Sequence, residues 1–260
     1  METTTATPRE LNEDDLAFLE RYSAFRRSQH AGGEEPSQDQ ERPASVSTSS
    51  TYGPPAWLRI EQHSHYPNVE ATIKSDPDAR FLDLGSCFAT DTRKVIVDGW
   101  KETNIVAADV IPDFWNYGLA LHEDASDIKC KVAIGDVTSD SDFVKSLVAE
   151  GLFAHVWNGA VLHVLTEEKV EALLRAVYSM LRPGGTYFGD CVGTSAEPGQ
   201  WEPPLRNRTT GYHHSSESLT QTLERIGFVE VEVRGVKLDL PGLAAPPDRL
   251  FLCFSAKKPQ

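Results

Sequence analysis

The amino-acid sequence predicts an α/β protein with a mainly parallel sheet, helices on both faces and an antiparallel edge formed by its last strands. Short apolar runs alternate with amphipathic segments between residues 80 and 192, and this alternation is typical of right-handed βαβ units. Two later apolar runs are separated by a proline-containing loop without a helical pattern, which indicates an antiparallel pair. Together these runs predict a sheet of about seven strands.

Turn signals and hydrophobic spacing set the expected elements. Strands are predicted over 81–84, 104–110, 131–134, 153–157, 186–192, 228–233 and 249–256, and helices over 68–75, 90–98, 114–122, 140–149, 167–181 and 215–226. The first strand is a short apolar run that ends at Gly85, and Gly99 closes the helix after it. The segment 167–181 is the longest amphipathic helix, and Pro183 followed by two glycines stops it.

The first 56 residues differ in composition from the rest of the chain. Residues 11–28 carry apolar side chains at helical spacing, with Asn12 as a candidate N-cap. In residues 30–56, Gly, Pro, Ser and Thr make up 14 of 27 residues, a composition that favours a flexible linker. The sequence therefore predicts an N-terminal helix within residues 1–29, a linker over 30–56 and a domain over 57–260. The helix either closes over a site as a lid or packs permanently on the domain.

The charge balance limits the classes of partner. The chain has 25 Lys and Arg against 39 Asp and Glu, a net charge of -14. Nucleic acids and anionic membranes bind basic surfaces, so this charge excludes a general binder of either. No apolar run approaches the roughly 20 residues of a membrane span, and the start of the chain has no signal-peptide pattern. We therefore expect a cytoplasmic monomer or homodimer whose partner is a small molecule.

The four cysteines are widely spaced and form no C-x-x-C pair. They are Cys87, Cys130, Cys191 and Cys253. This spacing predicts neither a metal site nor a disulfide framework, but reduced and mostly buried thiols.

Candidate binding residues follow the predicted strands, because ligands of open α/β sheets bind at the carboxyl ends of the strands. They are Asp83, Gly85, Ser86 and Cys87 at the first strand, Asp109 and Val110 at the second, Asp136 and Val137 at the third, and Asn158 and Gly159 at the fourth. An acid at the end of the second strand hydrogen-bonds ribose hydroxyls in such sheets. Asp109 is therefore assigned to a ribose, and Asp136 to the exocyclic amine of an adenine.

The loop after the first strand lacks a phosphate-binding pattern. The positions of a G-x-G-x-x-G fingerprint hold Gly85, Cys87 and Thr90, and no G-x-x-x-x-G-K-[ST] motif occurs in the chain. A pyrophosphate cradle is therefore poorly made. These residues together favour a site for an adenosine that has no phosphate and carries a positive charge.

These strand-end motifs resemble those of the class I S-adenosylmethionine-dependent methyltransferases, which have a Rossmann-like sheet. The first motif of that family is matched by DLGSCFATD at residues 83–91, its ribose-binding acid by Asp109, its adenine-side motif by Gly135-Asp136-Val137, and its turn before the fifth strand by residues 182–185. The four motifs stand in the order of the family. The resemblance implies an enzyme with S-adenosyl-L-methionine as its cofactor.

A narrower resemblance concerns the segment FLDLGSCFATDTRK at residues 81–94, followed by Asp98-Gly99 and Asn104-Ile105. It is similar to fungal secondary-metabolite methyltransferases of meroterpenoid pathways, and so implies O-methylation of a carboxyl group on a hydrophobic natural product. A phenol, amine or carbon acceptor remains an alternative. Two other classes are a nicotinamide-dependent dehydrogenase and a non-catalytic adenosyl-binding protein.

Acceptor-side candidates lie in the loops and in the N-terminal helix. His163 follows the fourth strand as a catalytic base or orienting group, or as an ordinary polar residue of the next helix. The long loop 193–215 holds Trp201, His213 and two arginines, Arg206 and Arg208, that suit a substrate carboxylate unless the loop is simply a solvated basic one. The remaining substrate-binding candidates are Tyr22, Arg26 and Trp157.

Overall fold

The computed structural model describes Tyr22 and residues 59–201, 210–237 and 248–260. Apart from Tyr22, the predicted N-terminal helix and linker lie outside the described residues, as do Arg26, Arg206 and Arg208. The division into a lid, a linker and a domain therefore stays a prediction.

Nine strands and six α-helices make up the described part of the chain. The strands are β1 (Phe81–Leu84), β2 (Ile105–Asp109), β3 (Lys131–Ile134), β4 (Phe153–Gly159), β5 (Leu181–Thr194), β6 (Gly199–Trp201), β7 (Gly211–His213), β8 (Val229–Lys237) and β9 (Arg249–Lys257). The helices are α1 (Tyr66–Ser75), α2 (Thr90–Val97), α3 (Pro112–His122), α4 (Ser141–Val148), α5 (Glu167–Met180) and α6 (Ser216–Ile226). Short 3-10 turns lie at Ile60–Gln62, Glu102–Asn104 and Leu162–Val164.

Seven strands form one sheet in the order β3-β2-β1-β4-β5-β9-β8. The first five are parallel to their neighbours, whereas β9 runs antiparallel to both β5 and β8. The predicted fold class, with its antiparallel edge, is confirmed. The strand order reverses between β1 and β4, and the loops after these two strands therefore open the crevice in which such sheets bind ligands.

The fifth strand is longer than predicted and contains an irregularity. Phe153 pairs with Leu181 and His155 pairs with Thr186, so one residue of β4 stands opposite four of β5. The four residues are 182–185, which the sequence predicts as a turn before the strand. Gly184 has a φ of +72°, and this left-handed backbone lets the chain bulge and then rejoin the ladder.

The sequence predicts a loop where the structure has the two-stranded sheet of β6 and β7. Trp201 pairs with Gly211, and Gly199 pairs with His213. Each strand has only three residues, which is too short for an alternating hydrophobic pattern to be visible.

Buried apolar side chains form one cluster on each face of the sheet. Helices α4, α5 and α6 cover one face, where Val156 of β4 and Leu174 of α5 are buried. Helices α1 and α2 and Tyr22 cover the other, where the next strand residue, Trp157, is buried. This alternation is the two-residue period of a strand buried on both faces.

Three further observations concern the cysteines, metal ligands and helix hydropathy of the described residues. All four cysteines are free thiols, and Cys130 and Cys191 are buried. Within the described ranges, no group of His, Cys, Asp and Glu side chains is arranged to hold a metal ion. No helix in the same part of the chain has the length and apolarity needed to cross a membrane.

A buried ion pair holds the loop after β1 against the segment after α3. Arg93 of α2 is fully buried, and its Nε and Nη2 each donate to Asp124 at 2.8 Å. Its Nη1 donates to the carbonyl oxygens of Phe88 and Ala89 at 2.9 and 3.0 Å. The hydroxyl of Tyr22 also donates to Asp124, so the pair connects three separate segments.

Replacing Arg93 by Met is expected to destabilise the protein by about 3–5 kcal/mol, because Asp124 would keep a buried charge without its partner. Chemical denaturation measures this loss. Lys145→Met, at a side chain that is 73% exposed, is the control and should change stability by less than about 0.5 kcal/mol. A loss below about 1 kcal/mol for Arg93→Met would show that the pair contributes little.

Candidate active site

The loop after β1 is held in a left-handed backbone conformation. Gly85, Cys87 and Ala89 have φ values of +76°, +50° and +55°. A Cβ on Gly85 would lie 2.3 Å from Cγ2 of Val161, so only glycine fits there. Cys87 adopts the left-handed conformation at the position where the dinucleotide fingerprint has its second glycine, which is uncommon for a residue with a side chain. The sequence shows this loop as glycine-poor but does not reveal that its backbone is nevertheless glycine-like.

Hydrogen bonds tie this loop to the end of β2. The backbone N–H groups of Gly85 and Ser86 donate to the carbonyl oxygen of Ala108 at 2.8 and 3.1 Å. The N–H of Cys87 donates to Oδ2 of Asp109 at 2.9 Å, and Oδ1 accepts from the N–H of Ile111 at 2.9 Å. Burial raises the pKa of the Asp109 carboxyl, while these N–H donors oppose the shift. Each oxygen keeps further acceptor capacity, so Asp109 can bind hydroxyl groups of a ligand.

Asp136 follows β3, the strand that pairs with β2, and accepts more hydrogen bonds than Asp109. Its Oδ1 accepts from the N–H and the hydroxyl of Thr138, at 2.8 and 2.6 Å. Its Oδ2 accepts from Ser139 and from Lys169, at 3.1 and 3.3 Å. Burial alone would raise the pKa of Asp136, but these bonds lower it to about 2. An adenine amine would therefore compete with the contacts from Ser139 and Lys169, while Val137 behind it belongs to the core.

At the end of β4, the side chain of Asn158 is engaged inside the protein. Its Nδ2 donates to the carbonyl oxygen of Leu84 at 2.6 Å, and its Oδ1 accepts from the hydroxyl of Tyr187 at 3.0 Å. Asn158 thus joins the ends of β1, β4 and β5. The backbone of Gly159 faces Arg59, whose Nη2 lies 2.7 Å from where a glycine Cβ would be.

A cluster of three buried carboxylates around Arg59 is a feature that the sequence analysis missed. Oδ2 of Asp190, on β5, lies 3.7 Å from Nε of Arg59. Asp91 accepts from the N–H of Arg59 at 2.8 Å and from Nε1 of Trp157 at 3.0 Å. Asp83 accepts from the hydroxyl of Thr92 at 2.6 Å. Asp190 is the last residue of β5 that pairs with β4, but β5 continues to Thr194, so the sequence gives no strand end at Asp190.

The three carboxylates outnumber the one guanidinium among them. Burial and the neighbouring Asp91 raise the pKa of Asp83 to about 7. Burial also raises the pKa values of Asp91 and Asp190, although Arg59 opposes the shift in both. Such a cluster favours the approach of a positively charged group. Burial and Asp109 raise the pKa of Cys87 to about 12, so this thiol is protonated at neutral pH.

His163 follows β4 and lies beside the last residues of β5, close to His213 of β7. Nδ1 of His163 accepts from the N–H of Val192 at 3.3 Å, and the two imidazole rings are 6.4 Å apart. His213 stacks on Trp201 with the ring centroids 5.0 Å apart. Burial lowers the pKa of His163 to about 3 and that of His213 to about 4. Both rings are therefore neutral at pH 7.

Trp157 and Tyr22 are packed in the core. Trp157 is 1% exposed and contacts His63 and Phe188. Tyr22 is also 1% exposed and packs edge-on against His122. Their predicted contacts with a substrate stay predictions.

An open cleft of about 610 Å³ lies beside the end of β5. Residues 194–198, the first turn of α6 and Leu250 line it. Of the lining residues, Leu250 and those of α6 pack on the face opposite to Trp157.

The chain is similar in sequence to known methyltransferases, although no family model matches it. An O-methyltransferase of Stereocaulon alpinum is 29% identical over 174 residues, which cover 65% of this chain and 49% of the relative. A methyltransferase of Penicillium roqueforti is 28% identical over 182 residues, covering 70% of this chain and 63% of the relative. The chain thus spans less than two thirds of the length of either relative.

Solved structures show the fold. An S-adenosylmethionine-dependent methyltransferase of Mesorhizobium loti superimposes with a TM-score of 0.51 at 18% identity, covering 77% of this chain and all of the other. The chain has the class I methyltransferase fold. The 1,6-didemethyltoxoflavin N1-methyltransferase of Burkholderia thailandensis shares this methyltransferase fold with a TM-score of 0.53 and 14% identity, covering 98% and 94% of the two chains.

The raised pKa of Asp83 predicts a pH-dependent stability. The folded carboxyl has a pKa of about 7 against a usual value of 3.8, so the folded chain holds this proton more tightly than the unfolded chain. Stability contributed by the protonated acid is therefore lost as the pH rises from the unfolded pKa of 3.8 through the folded pKa of about 7. The free energy of unfolding of Asp83→Asn, taken relative to that of the wild type, should therefore rise by about 2–4 kcal/mol from pH 4 to pH 8, because only the wild type loses this contribution. Urea denaturation across this range measures the difference, with the exposed Asp142→Asn as a control that should show none.

Proposed function

We propose that the protein is an S-adenosylmethionine-dependent methyltransferase that forms a methyl ester on a small, hydrophobic carboxylic acid of secondary metabolism. The observation that carries the proposal is the carboxylate of Asp109. It is tied to a left-handed loop after β1, at the switch point of a methyltransferase fold. The similarity to methyltransferases of Stereocaulon alpinum and Penicillium supports the same activity.

The residues present fit this cofactor. In the proposal, Asp109 accepts hydrogen bonds from the ribose hydroxyls, and the backbone of residues 85–87 lies along the methionine portion. Val110, which is 57% exposed, and Val137 border the adenine, whose amine meets Asp136. The backbone at Asn158 and Gly159 closes the site from the β4 side. Asp83 contributes to the site through the carboxylate cluster around Arg59. The surplus of carboxylates around Arg59 suits a sulfonium cation.

When bound, this cofactor supplies an activated methyl group, so the protein has to align and desolvate the reactants. A carboxylate acceptor is ionised at neutral pH and needs no base. His163 fits this requirement, because its Nδ1 accepts from Val192 and its proton therefore lies on Nε2. We assign His163 to orienting an acceptor oxygen by donating that proton in a hydrogen bond. An imidazole with a pKa of about 3 is a weak base, which disfavours phenol and alcohol acceptors.

The other classes are less well supported. A nicotinamide-dependent dehydrogenase would need backbone close to a pyrophosphate, whereas Cys87 occupies the second glycine position of its fingerprint. A non-catalytic adenosyl-binding protein would bind the same cofactor without forming a product. The proposal includes a cytoplasmic location and a monomeric or homodimeric state. It also includes the absence of nucleic-acid binding, which the net charge of -14 supports.

Asp109→Ala is expected to weaken the binding of S-adenosylhomocysteine about 10- to 100-fold, since it removes charge-assisted hydrogen bonds to two hydroxyls. Isothermal titration calorimetry measures the change. Asp142→Ala, at a side chain that is 87% exposed, is the matched control. Unchanged affinity in Asp109→Ala would move the ribose contact to another residue, and no binding by the wild type would refute the proposed cofactor.

His163→Ala is expected to lower kcat about 10- to 100-fold while leaving the affinity for S-adenosylhomocysteine unchanged, because the residue acts on the acceptor. The wild-type kcat should show no ionisation of His163 between pH 5 and pH 8, since the low pKa keeps the ring neutral there. Mass spectrometry of methyl esters formed from a panel of hydrophobic acids measures the rate. Normal turnover in the variant would restrict His163 to a structural role.

A further inference from the structure

We propose that Arg249 binds a carboxylate of the acceptor. This inference rests on the proposed function for the reaction itself, but it assigns the anionic contact to a residue that the sequence analysis did not single out. Arg249 is the first residue of β9 and pairs with Thr194, the last residue of β5. It therefore lies at the carboxyl edge of the parallel strands, where ligands of such sheets bind.

The charge of Arg249 is buried without an ionic partner in the described part of the chain. The residue is 5% exposed, and none of the described carboxylates forms an ion pair with it. The neighbouring Asp248 accepts from the hydroxyl of Thr194 at 3.1 Å instead. A buried charge is costly unless it is paired. An anion bound to this guanidinium would therefore offset the cost of burying it.

Arg93 shows how the same chain satisfies a buried guanidinium for structural purposes. There, Asp124 accepts two hydrogen bonds and two carbonyl oxygens accept the others. Arg249 has neither kind of acceptor among the described residues, where its hydrogen-bond partner is the neutral ring of His213. The difference between the two arginines separates a structural ion pair from an open anion site.

The surroundings of Arg249 select a planar anion. His213 takes the hydrogen bond from Nη1, and the indole of Trp201 lies 4.6 Å from the guanidinium carbon. Nε and Nη2 have no acceptor among the described residues. These two donors form one edge of the guanidinium, and that edge matches the two oxygens of a carboxylate. Trp201 adds an apolar wall, which suits a carboxylate attached to a hydrophobic body.

Arg249 also lies on the side of the sheet that carries the carboxylate cluster. Asp190 and Thr194 are four residues apart on β5 and so share a face, and Arg249 stands directly across from Thr194. The separation along the strand is about 13 Å. His163 lies close to His213, with the ring centroids 6.4 Å apart. An acceptor whose carboxylate is held at Arg249 therefore extends past His163, and the carboxyl group that it presents for methylation near the cluster around Arg59 is a different one.

The test compares an acid with its neutral analogue. The probes are 1-naphthoate and 1-naphthamide, and calorimetry measures their binding both with and without saturating S-adenosylhomocysteine. The wild type should bind the naphthoate at least about 10-fold more tightly, as expected for charge-assisted hydrogen bonds. Arg249→Met should abolish this preference, and Arg249→Lys should keep part of it, since lysine retains the charge but not the fork. Arg234→Met, at a side chain that is 71% exposed on β8, should behave as the wild type.

Melting temperatures supply the second measurement. Arg249→Met should melt at or above the wild-type temperature, because it removes a buried charge and leaves no carboxylate without a partner. A sharp fall, like that expected for Arg93→Met, would mean that an acid of the chain itself neutralises Arg249, and would overturn the proposal. A wild type without preference for the naphthoate, or a preference that survives in Arg249→Met, would overturn it as well.

These outcomes separate the inference from the proposed function. If the wild type fails to bind S-adenosylhomocysteine, the proposed methyltransferase activity fails, while the naphthoate comparison without that ligand still decides the role of Arg249. If S-adenosylhomocysteine binds normally to every variant and the preference for the acid is unaffected by Arg249→Met, only the inference fails.

Discussion

The backbone of the loop after β1 is held by hydrogen bonds to two side chains, Asp109 and Arg93, and the candidate site depends on these bonds. Asp109 accepts the N–H of Cys87 on the β2 side. Arg93 donates to the carbonyl oxygens of Phe88 and Ala89 on the helix side. Without both anchors, a loop with non-glycine residues at positive φ would relax toward ordinary backbone conformations. The loop therefore keeps a glycine-like shape without a glycine-rich sequence.

Buried charge is distributed unevenly across the site. The cluster around Arg59 holds more carboxylates than cations, whereas Arg249 is a buried cation that forms no ion pair with a described carboxylate. The first region suits a positively charged ligand and the second a negatively charged one. A methyl donor that is a cation and an acceptor that is an anion would each meet the charge that favours it, and the two would be drawn together along the end of β5.

Several strand-end residues proved to be engaged inside the protein. The amide of Asn158 joins β1 to β5, and Asp136 accepts four hydrogen bonds from its own surroundings. Reading a residue type at the end of a strand indicates where it stands, but not which neighbours have taken its donors and acceptors. That information depends on contacts between residues far apart in the chain, such as the bond from Tyr187 to Asn158.

The sequence alone determined the order of the elements and the mainly parallel sheet with its antiparallel edge, and it predicted a candidate site at the carboxyl ends of the strands. These follow from local hydrophobic periods and turn residues, which act over a few positions. Only the tertiary structure revealed the bulge in β5, the β6–β7 pair, the carboxylates around Arg59 and the isolated charge of Arg249. The bulge and the β6–β7 pair depend on how two strands pair, which neither strand shows on its own. The two charge features arise where segments distant in sequence pack together, because burial and pairing of a charge are properties of the folded chain and not of any local stretch.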